Sequence, residues 1–245
     1  MQIPRKIHII WIGDDNPRPQ SCLDSWREKH PDWDVRIWDN RDLFQKQWIN
    51  QKHIDKFLKL RKWPAIADLM RYEILYQHGG VYVDADSLCL RRLDTWLLES
   101  EMFACWTNEF DGKRLIANGF VGTIAENPFL LKVIQRASRK RDILRRWSWS
   151  KMRQIPMGAW RSVGPFHLTE CVRAENYDRI TILPSHMFLP RHYNGRVYGG
   201  GGIVYADHFW GTTTKSYGQA PQPAPLIHWL APMITRNRPA ATPTG

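Results

Sequence analysis

One stretch limits what this chain can fold into more than any other: DLMRYEILYQHGGVYVDAD, running from Asp68 to Asp86. It predicts a helix whose first turn takes Pro64 and whose end takes the Gly79-Gly80 pair, followed at once by a short strand, Val81-Tyr82-Val83. On that helix Asp68 and Arg71 are three residues apart and share a face, with Leu75 near the same line. The strand then delivers Asp84 and Asp86 at its carboxyl end, where open α/β sheets place their ligands. Side chains at i and i+2 of an extended segment face the same side, so both carboxylates can share one hard cation while Ala85 points into the sheet. Mg²⁺ or Mn²⁺ takes one or two carboxylates plus substrate phosphates, which describes a bound nucleotide diphosphate, and would neutralise a departing pyrophosphate. The ordinary alternative for such a pair is a solvated cap at a strand end.

The rest of the chain alternates in the same way. Ile7, Ile9, Ile10, Trp11 and Ile12 form a β-prone run that stops at Gly13 and the turn-forming DDNPRP. Residues 21–30 predict a short helix, 35–38 a second strand, and 41–62 helical spacing. Residues 103–106 and 120–123 predict further strands, and Asn127-Pro128 caps a helix that runs into a basic stretch. Residues 180–183 and 203–205 look extended. Strands alternating with helices imply one α/β sheet in a single domain spanning 1–218, followed by a Pro-rich tail, 219–245, with a docking segment near 226–230.

In order along the chain, IPRKIHIIWIG, AIADLMRYEILYQHGGVYVDAD, NGF at Asn118, VGPFHLT, ILPSHMFLP and YADHFW resemble glycosyltransferase family 32, a family of DXD sugar transferases. The central block is also similar to the glucosyltransferase domains of the large clostridial toxins. The resemblance implies a GT-A fold, a Rossmann-like nucleotide-sugar-binding sheet with flanking helices. It also implies a nucleotide-sugar donor (UDP-hexose, with GDP-hexose as the alternative), a divalent metal, and retention of anomeric configuration. It assigns Asp86 to the metal, Asp84 to ribose, sugar or metal-bound water, and Asp68 with Arg71 to the donor sugar and diphosphate. Trp11, beside Ile10, matches the aromatic that stacks on the nucleobase, although 13 tryptophans make an ordinary core role a real competitor. His208 matches a further metal or diphosphate ligand. The family's GSW-type element is replaced by FWGTTTKSYG, leaving open whether Ser216-Tyr217 or Trp210 covers the diphosphate. Asn118 and Gly164-Pro165 are expected on the acceptor side. Retention by front-face attack and by double displacement both remain open.

Charge bears on the acceptor. The 35 Lys and Arg outnumber the 24 Asp and Glu, a net charge of +11, and much of the excess lies in residues 132–161. Helical spacing of Leu130, Val133, Ile134, Ala137, Leu144 and Trp147 predicts an amphipathic helix there, with a basic face carrying Arg139, Lys140 and Arg141 and with Trp147 and Trp149 interleaved. The density and arginine bias favour a phosphate backbone, that is, hydroxymethylpyrimidine bases in DNA. Docking on an anionic membrane that presents a lipid-linked or surface glycan is the alternative. A non-catalytic nucleic-acid-binding protein on a transferase fold is the alternative of another class, against which the intact Asp68, Arg71, Asp84 and Asp86 argue. No run of about 18 apolar residues is present to cross a bilayer. The apolar N-terminal stretch is too short for a secretory signal, and four scattered cysteines suggest reduced thiols. The expected location is cytoplasmic, in a bacterial or phage-infected cell, with peripheral membrane attachment as the other option.

Overall fold

The structure, a computed structural model, describes residues 2–214 except Asp14 and Lys113. Ser216, Tyr217 and the 219–245 tail lie outside the described residues. In chain order the first half holds β1 (Lys6–Ile10), α1 (Gln20–Lys29), β2 (Asp34–Trp38), α2 (Asn40–Gln45), α3 (Gln51–Leu58), α4 (Trp63–His78), β3 (Gly80–Val83) and β4 (Ser87–Cys89). The second half holds β5 (Met102–Trp106), β6 (Ile116–Thr123), α5 (Pro128–Ser138), β7 (Arg145–Ser148), β8 (Arg153–Pro156), α6 (Ala159–Ser162), α7 (Pro165–Ala174), β9 (Ile180–Leu183), β10 (Ala206–His208) and α8 (Gly211–Thr214).

Six strands form one sheet in the order β2-β1-β3-β6-β5-β9. The β1–β2, β1–β3 and β5–β9 pairs are parallel, and β6 runs antiparallel to both of its neighbours. Alternation along each strand divides the core into two layers. Tyr82, Met102, Ala104 and Val121 face α4, α5 and α7, whereas Val81, Val83, Phe103, Cys105 and Phe120 face Leu23 and Trp26 of α1. All four cysteines are buried free thiols.

The turn from α4 into β3 is tight because Gly79 and Gly80 adopt φ of 59° and 98°. A Cβ on Gly80 would stand 2.8 Å from the Lys6 carbonyl, so only glycine allows β3 to start directly beside β1. His8 locks the same junction: its Nε2 donates to the Gly79 carbonyl at 2.9 Å while its Nδ1 accepts from the Trp38 indole at 3.2 Å.

Two expectations need correction. The basic block is not one amphipathic helix: α5 ends at Ser138, and residues 145–156 form the separate hairpin β7–β8. The Asp142 carboxylate accepts from the Leu144 and Arg145 amides, a local side-chain turn that competes with helix continuation. Side chains then alternate with a period of two, which puts arginines on both faces of the ribbon: Arg145 with Trp147 on one, Arg146 with Arg153 on the other. The extended segment expected at 203–205 is likewise displaced, to Ala206–His208, because strand pairing there is set by β4, a short strand missed in the sequence.

Candidate active site

The carboxyl ends of β1 and β3 open into a cavity of about 880 Å³. Ile10 at the end of β1 and Trp11 just after it line the cavity, with Asp68 and Arg71 from α4 and Asp84 and Asp86 from the turn after β3. Asn118 of β6, Trp160 of α6, and His208 with Trp210 from the chain's last part complete the wall.

His208 arrives by strand pairing. β10 runs antiparallel to β4 with His208 opposite Ser87, the residue after Asp86. Its Nε2 therefore lies 3.1 Å from Asp86 Oδ1 and 3.4 Å from Asp84 Oδ2. One ligand atom from each of Asp84, Asp86 and His208 can be chosen so that all lie within 4.8 Å of one another. Asp86 Oδ2 also accepts from the Gly211 amide at 2.6 Å. Burial opposes a charged imidazole, but the carboxylates of Asp86 and Asp84 outweigh it and push His208 up to about 10.

Arg71 is the second centre of charge. Its Nη2 lies 3.1 Å from Asp68 Oδ1 and 3.2 Å from Asp84 Oδ1, and its Nη1 donates to the Asn118 carbonyl at 2.6 Å. The guanidinium also lies over the Tyr82 ring, 4.2 Å from its centroid. Burial raises the Asp84 carboxyl, but Arg71 and His208 more than offset this and hold it well below the usual carboxylate range. Asp68 goes the other way: burial dominates over Arg71 and the Asn118 hydrogen bond and pushes it up to about 6.

The donor set fits a divalent cation. With His208 charged, three carboxylates face one guanidinium and one imidazolium, leaving one net negative charge. A dication in place of the imidazolium proton makes the cluster neutral. Two carboxylate oxygens and an imidazole nitrogen are ligands that Mn²⁺ accepts, and ligating histidine must be neutral.

The sequence missed several contributors. Asn118, expected on the acceptor side, does line the cavity, and its unforeseen part is local: its amide donates to Asp68 Oδ1 at 2.8 Å and contacts the Tyr72 hydroxyl at 3.2 Å, bracing the floor. Tyr82 donates to Asp84 Oδ1 at 3.1 Å. Gly119 leaves room for Asp84, since a Cβ there would fall 2.2 Å from Oδ2. The NGF triplet was the only hint of either residue. At the mouth, Asp15 binds both Arg61 and the Trp63 indole.

The acceptor residues expected from the basic block do not converge on the cavity. Arg139, Lys140, Arg141, Trp147 and Trp149 are absent from the cavity wall. Lys140 corrects the sequence reading most clearly: its ammonium turns inward, donating to the Ser162 carbonyl at 2.5 Å and meeting His167 Nδ1 at 3.1 Å. Burial lowers it to about 8. Of Gly164-Pro165, only Pro165 lines the cavity. Trp210 packs edge-on against His208 with ring centroids 4.7 Å apart.

The sequence around this site and the fold that carries it have known counterparts. Residues 17–103, which include Asp68, Arg71, Asp84 and Asp86, match the family described as glycosyltransferase sugar-binding region containing DXD motif. Mannosyl phosphorylinositol ceramide synthase CSH1 of the yeast Saccharomyces cerevisiae is 34% identical over 143 residues, 54% of this chain and 35% of the relative. Inositol phosphoceramide mannosyltransferase 3 of Schizosaccharomyces pombe is 29% identical over 145 residues, 56% of this chain and 38% of the relative. The match thus spans little more than a third of those relatives' length. The UDP-bound glycosyltransferase domain of the YGT toxin superposes with a TM-score of 0.55 at 10% identity, covering 74% of this chain and 79% of that one. The catalytic domain of Clostridium novyi alpha-toxin does so with a TM-score of 0.52 at 9% identity, covering 96% and 83%. The fold is GT-A, as the sequence resemblance implied.

Proposed function

We propose that this chain is a metal-dependent glycosyltransferase that moves a hexose from a nucleoside diphosphate sugar to a hydroxyl of a phosphate-bearing acceptor. The observation that carries the reading is the Asp84, Asp86 and His208 cluster set beside the Asp68–Arg71 pair in one cavity. Asp84, Asp86 and His208 would hold Mn²⁺ or Mg²⁺, which as a Lewis acid would offset charge on the diphosphate. Trp11 offers a flat wall for the base, and UDP is the first choice because a structural neighbour was crystallised with it. Asp68, kept close by Arg71 and Asn118, accepts hydrogen bonds from sugar hydroxyls. Arg71 fixes Asp84 and lends positive charge to the side from which the diphosphate departs.

Retention by front-face attack suits this wall. Among the described residues, the acidic ones lining the cavity are Asp15, Asp68, Asp84 and Asp86. Asp15, Asp68 and Asp84 are each tied to an arginine, and Asp84 and Asp86 to His208 as well, so none stands apart as a nucleophile. In the front-face path the C1–oxygen bond to the β-phosphate breaks, the acceptor oxygen bonds C1 from the same side, and its proton passes to a phosphate oxygen. The catalytic unit is 1–218, with 219–245 appended.

Two acceptors compete. The sequence favours hydroxymethylpyrimidine DNA. The relatives named for inositol phosphoceramide favour a phosphate-bearing lipid, and the inward turn of Lys140 removes part of the DNA argument. The lipid is the preferred reading, which puts the protein at a membrane face. The test is Mn²⁺-dependent turnover of UDP- and GDP-hexoses with phosphoinositol-ceramide and with hydroxymethylcytosine duplex in parallel, read by mass spectrometry. A hexose added to the lipid is expected. Addition to the nucleoside alone would replace the lipid with DNA, and no metal-dependent turnover of any donor, even to water, would sink the transferase reading.

A further inference from the structure

Hairpin β7–β8 belongs to no other sheet, and its turn carries an unusual surface. Trp149 is 79% exposed and Met152 67%, both at the tip, with Trp147 47% exposed one step back. Water-facing apolar groups of this size, gathered on one projection, mark an interaction site. Lys151 shares the turn with them, and behind it come Arg145, Arg146 and Arg153, all four cations exposed, with Arg139 and Arg141 nearer the base. None of these six cations forms an ion pair among the described residues, whereas Arg36, Arg92, Arg179 and Arg191 elsewhere each hold a carboxylate. The nearby acid, Asp142, accepts from backbone amides.

We propose that this hairpin is a docking element for an anionic lipid bilayer, with Trp149 and Met152 entering the boundary between headgroups and acyl chains and the flanking arginines lying at the headgroup phosphates. Three features favour a bilayer over nucleic acid. The apolar groups lie at the tip and every arginine behind it, the order in which a bilayer presents acyl chains and phosphates to an inserting segment, and the long stem of Lys151 in the turn lets its ammonium reach back to the phosphates. Trp147 and Trp149 meet at 77°, so they offer no parallel faces for successive stacked bases. Arginines occupy both faces of the ribbon, which suits end-on insertion with phosphates all round. Placement adds a fourth point: Pro156 ends β8 two residues before Gly158, where the chain joins the cavity wall and continues through Ala159 and Trp160. An inserted tip would hold the cavity's rim near the lipid surface.

The proposal deepens the lipid reading but is tested without catalysis. Flotation with phosphatidylcholine vesicles, with and without phosphatidylserine, compares the intact chain with Trp149→Ala/Met152→Ser and with Arg145→Gln/Arg146→Gln/Arg153→Gln. The intact chain is expected to float with the anionic vesicles, each triple or double variant to lose about tenfold or more in affinity, and added salt to weaken what remains. Brominated lipid should quench the intact protein more than Trp149→Phe, which keeps the tip apolar. UDP affinity with Mn²⁺, measured on the same preparations, reports the donor site separately, so a failed dock and a failed transferase assignment look different. Vesicle binding indifferent to the tip variant overturns the proposal, as does tighter binding to duplex DNA than to anionic vesicles.

Discussion

Asp68→Asn separates what the buried carboxylate costs the fold from what it contributes to the site. Burial pushes Asp68 up to about 6 from an ordinary 3.8, so the folded state holds its proton more tightly than the unfolded chain. The unfolded chain then binds fewer protons between those values, and stability falls as pH rises through that window, with the loss complete above about pH 6. A rise from 3.8 to about 6 is worth roughly 3 kcal/mol in total, of which roughly 1 kcal/mol falls between about pH 5 and about pH 8. Asparagine carries no such charge, and its carbonyl can still accept from Asn118, although Arg71 loses one ionic partner at a cost of about 1–3 kcal/mol. The variant should therefore be close to the wild type in stability at neutral pH, and should gain on it by roughly 1 kcal/mol between about pH 5 and about pH 8. Urea melts at the two pH values measure this directly. A difference between the two proteins that does not change with pH would refute the reasoning, because it would mean that Asp68 ionises in the folded chain as freely as in the unfolded one.

Further outcomes follow from the same geometry. Asp86→Ala should lower metal-dependent donor turnover by about 100-fold or more without restoration by excess Mn²⁺, and full activity in chelator-treated variant would remove Asp86 from the metal site. Gly119→Ala drives a methyl into Asp84 Oδ2 and should weaken Mn²⁺ binding by about 10- to 100-fold, as measured by titration calorimetry; unchanged affinity would show that Asp84 tolerates displacement. His8 is lowered to about 4 by burial, so the stability it gives is whole above about pH 6.5 and is lost as pH falls toward 4, up to about 3 kcal/mol. Denaturation midpoints for His8→Gln should fall less steeply over that range than those of the wild type, and parallel curves would count against the buried neutral imidazole.

How much was legible in the chain differs by distance. The α4–β3 unit could be read because its signals are local: proline in the first turn, glycines at the end, aspartates two apart. Asn127-Pro128 announced α5 for the same reason, and the Asn127 side chain does accept from the Phe129 amide at 2.8 Å. The basic block misled because Leu130, Val133, Ile134 and Ala137 are helical, and Leu144 and Trp147 happened to extend the spacing past a turn that Asp142 enforces. β4 and β10 are three residues each, too short to carry a period, so their pairing is decided by the fold. Asn118 and Gly119 were invisible as site supports because what matters is whom they touch, Asp68 and Asp84, 50 and 35 positions away in sequence. Resemblance to a family pointed to Trp11 and His208; spacing alone did not.

The pairing of β10 with β4 also sets an order of events. During synthesis the six-stranded sheet can assemble once Leu183 has emerged, with both aspartates already in their turn. His208 follows 25 residues later in the sequence, and until it docks, Ser87–Cys89 is an open edge and Asp86 lacks both its imidazole and the Gly211 amide. Any product that stops before Ala206 would keep the family's defining motif and the main sheet, yet could not complete the cluster. Only a chain that includes the last strand brings Asp84, Asp86 and His208 together.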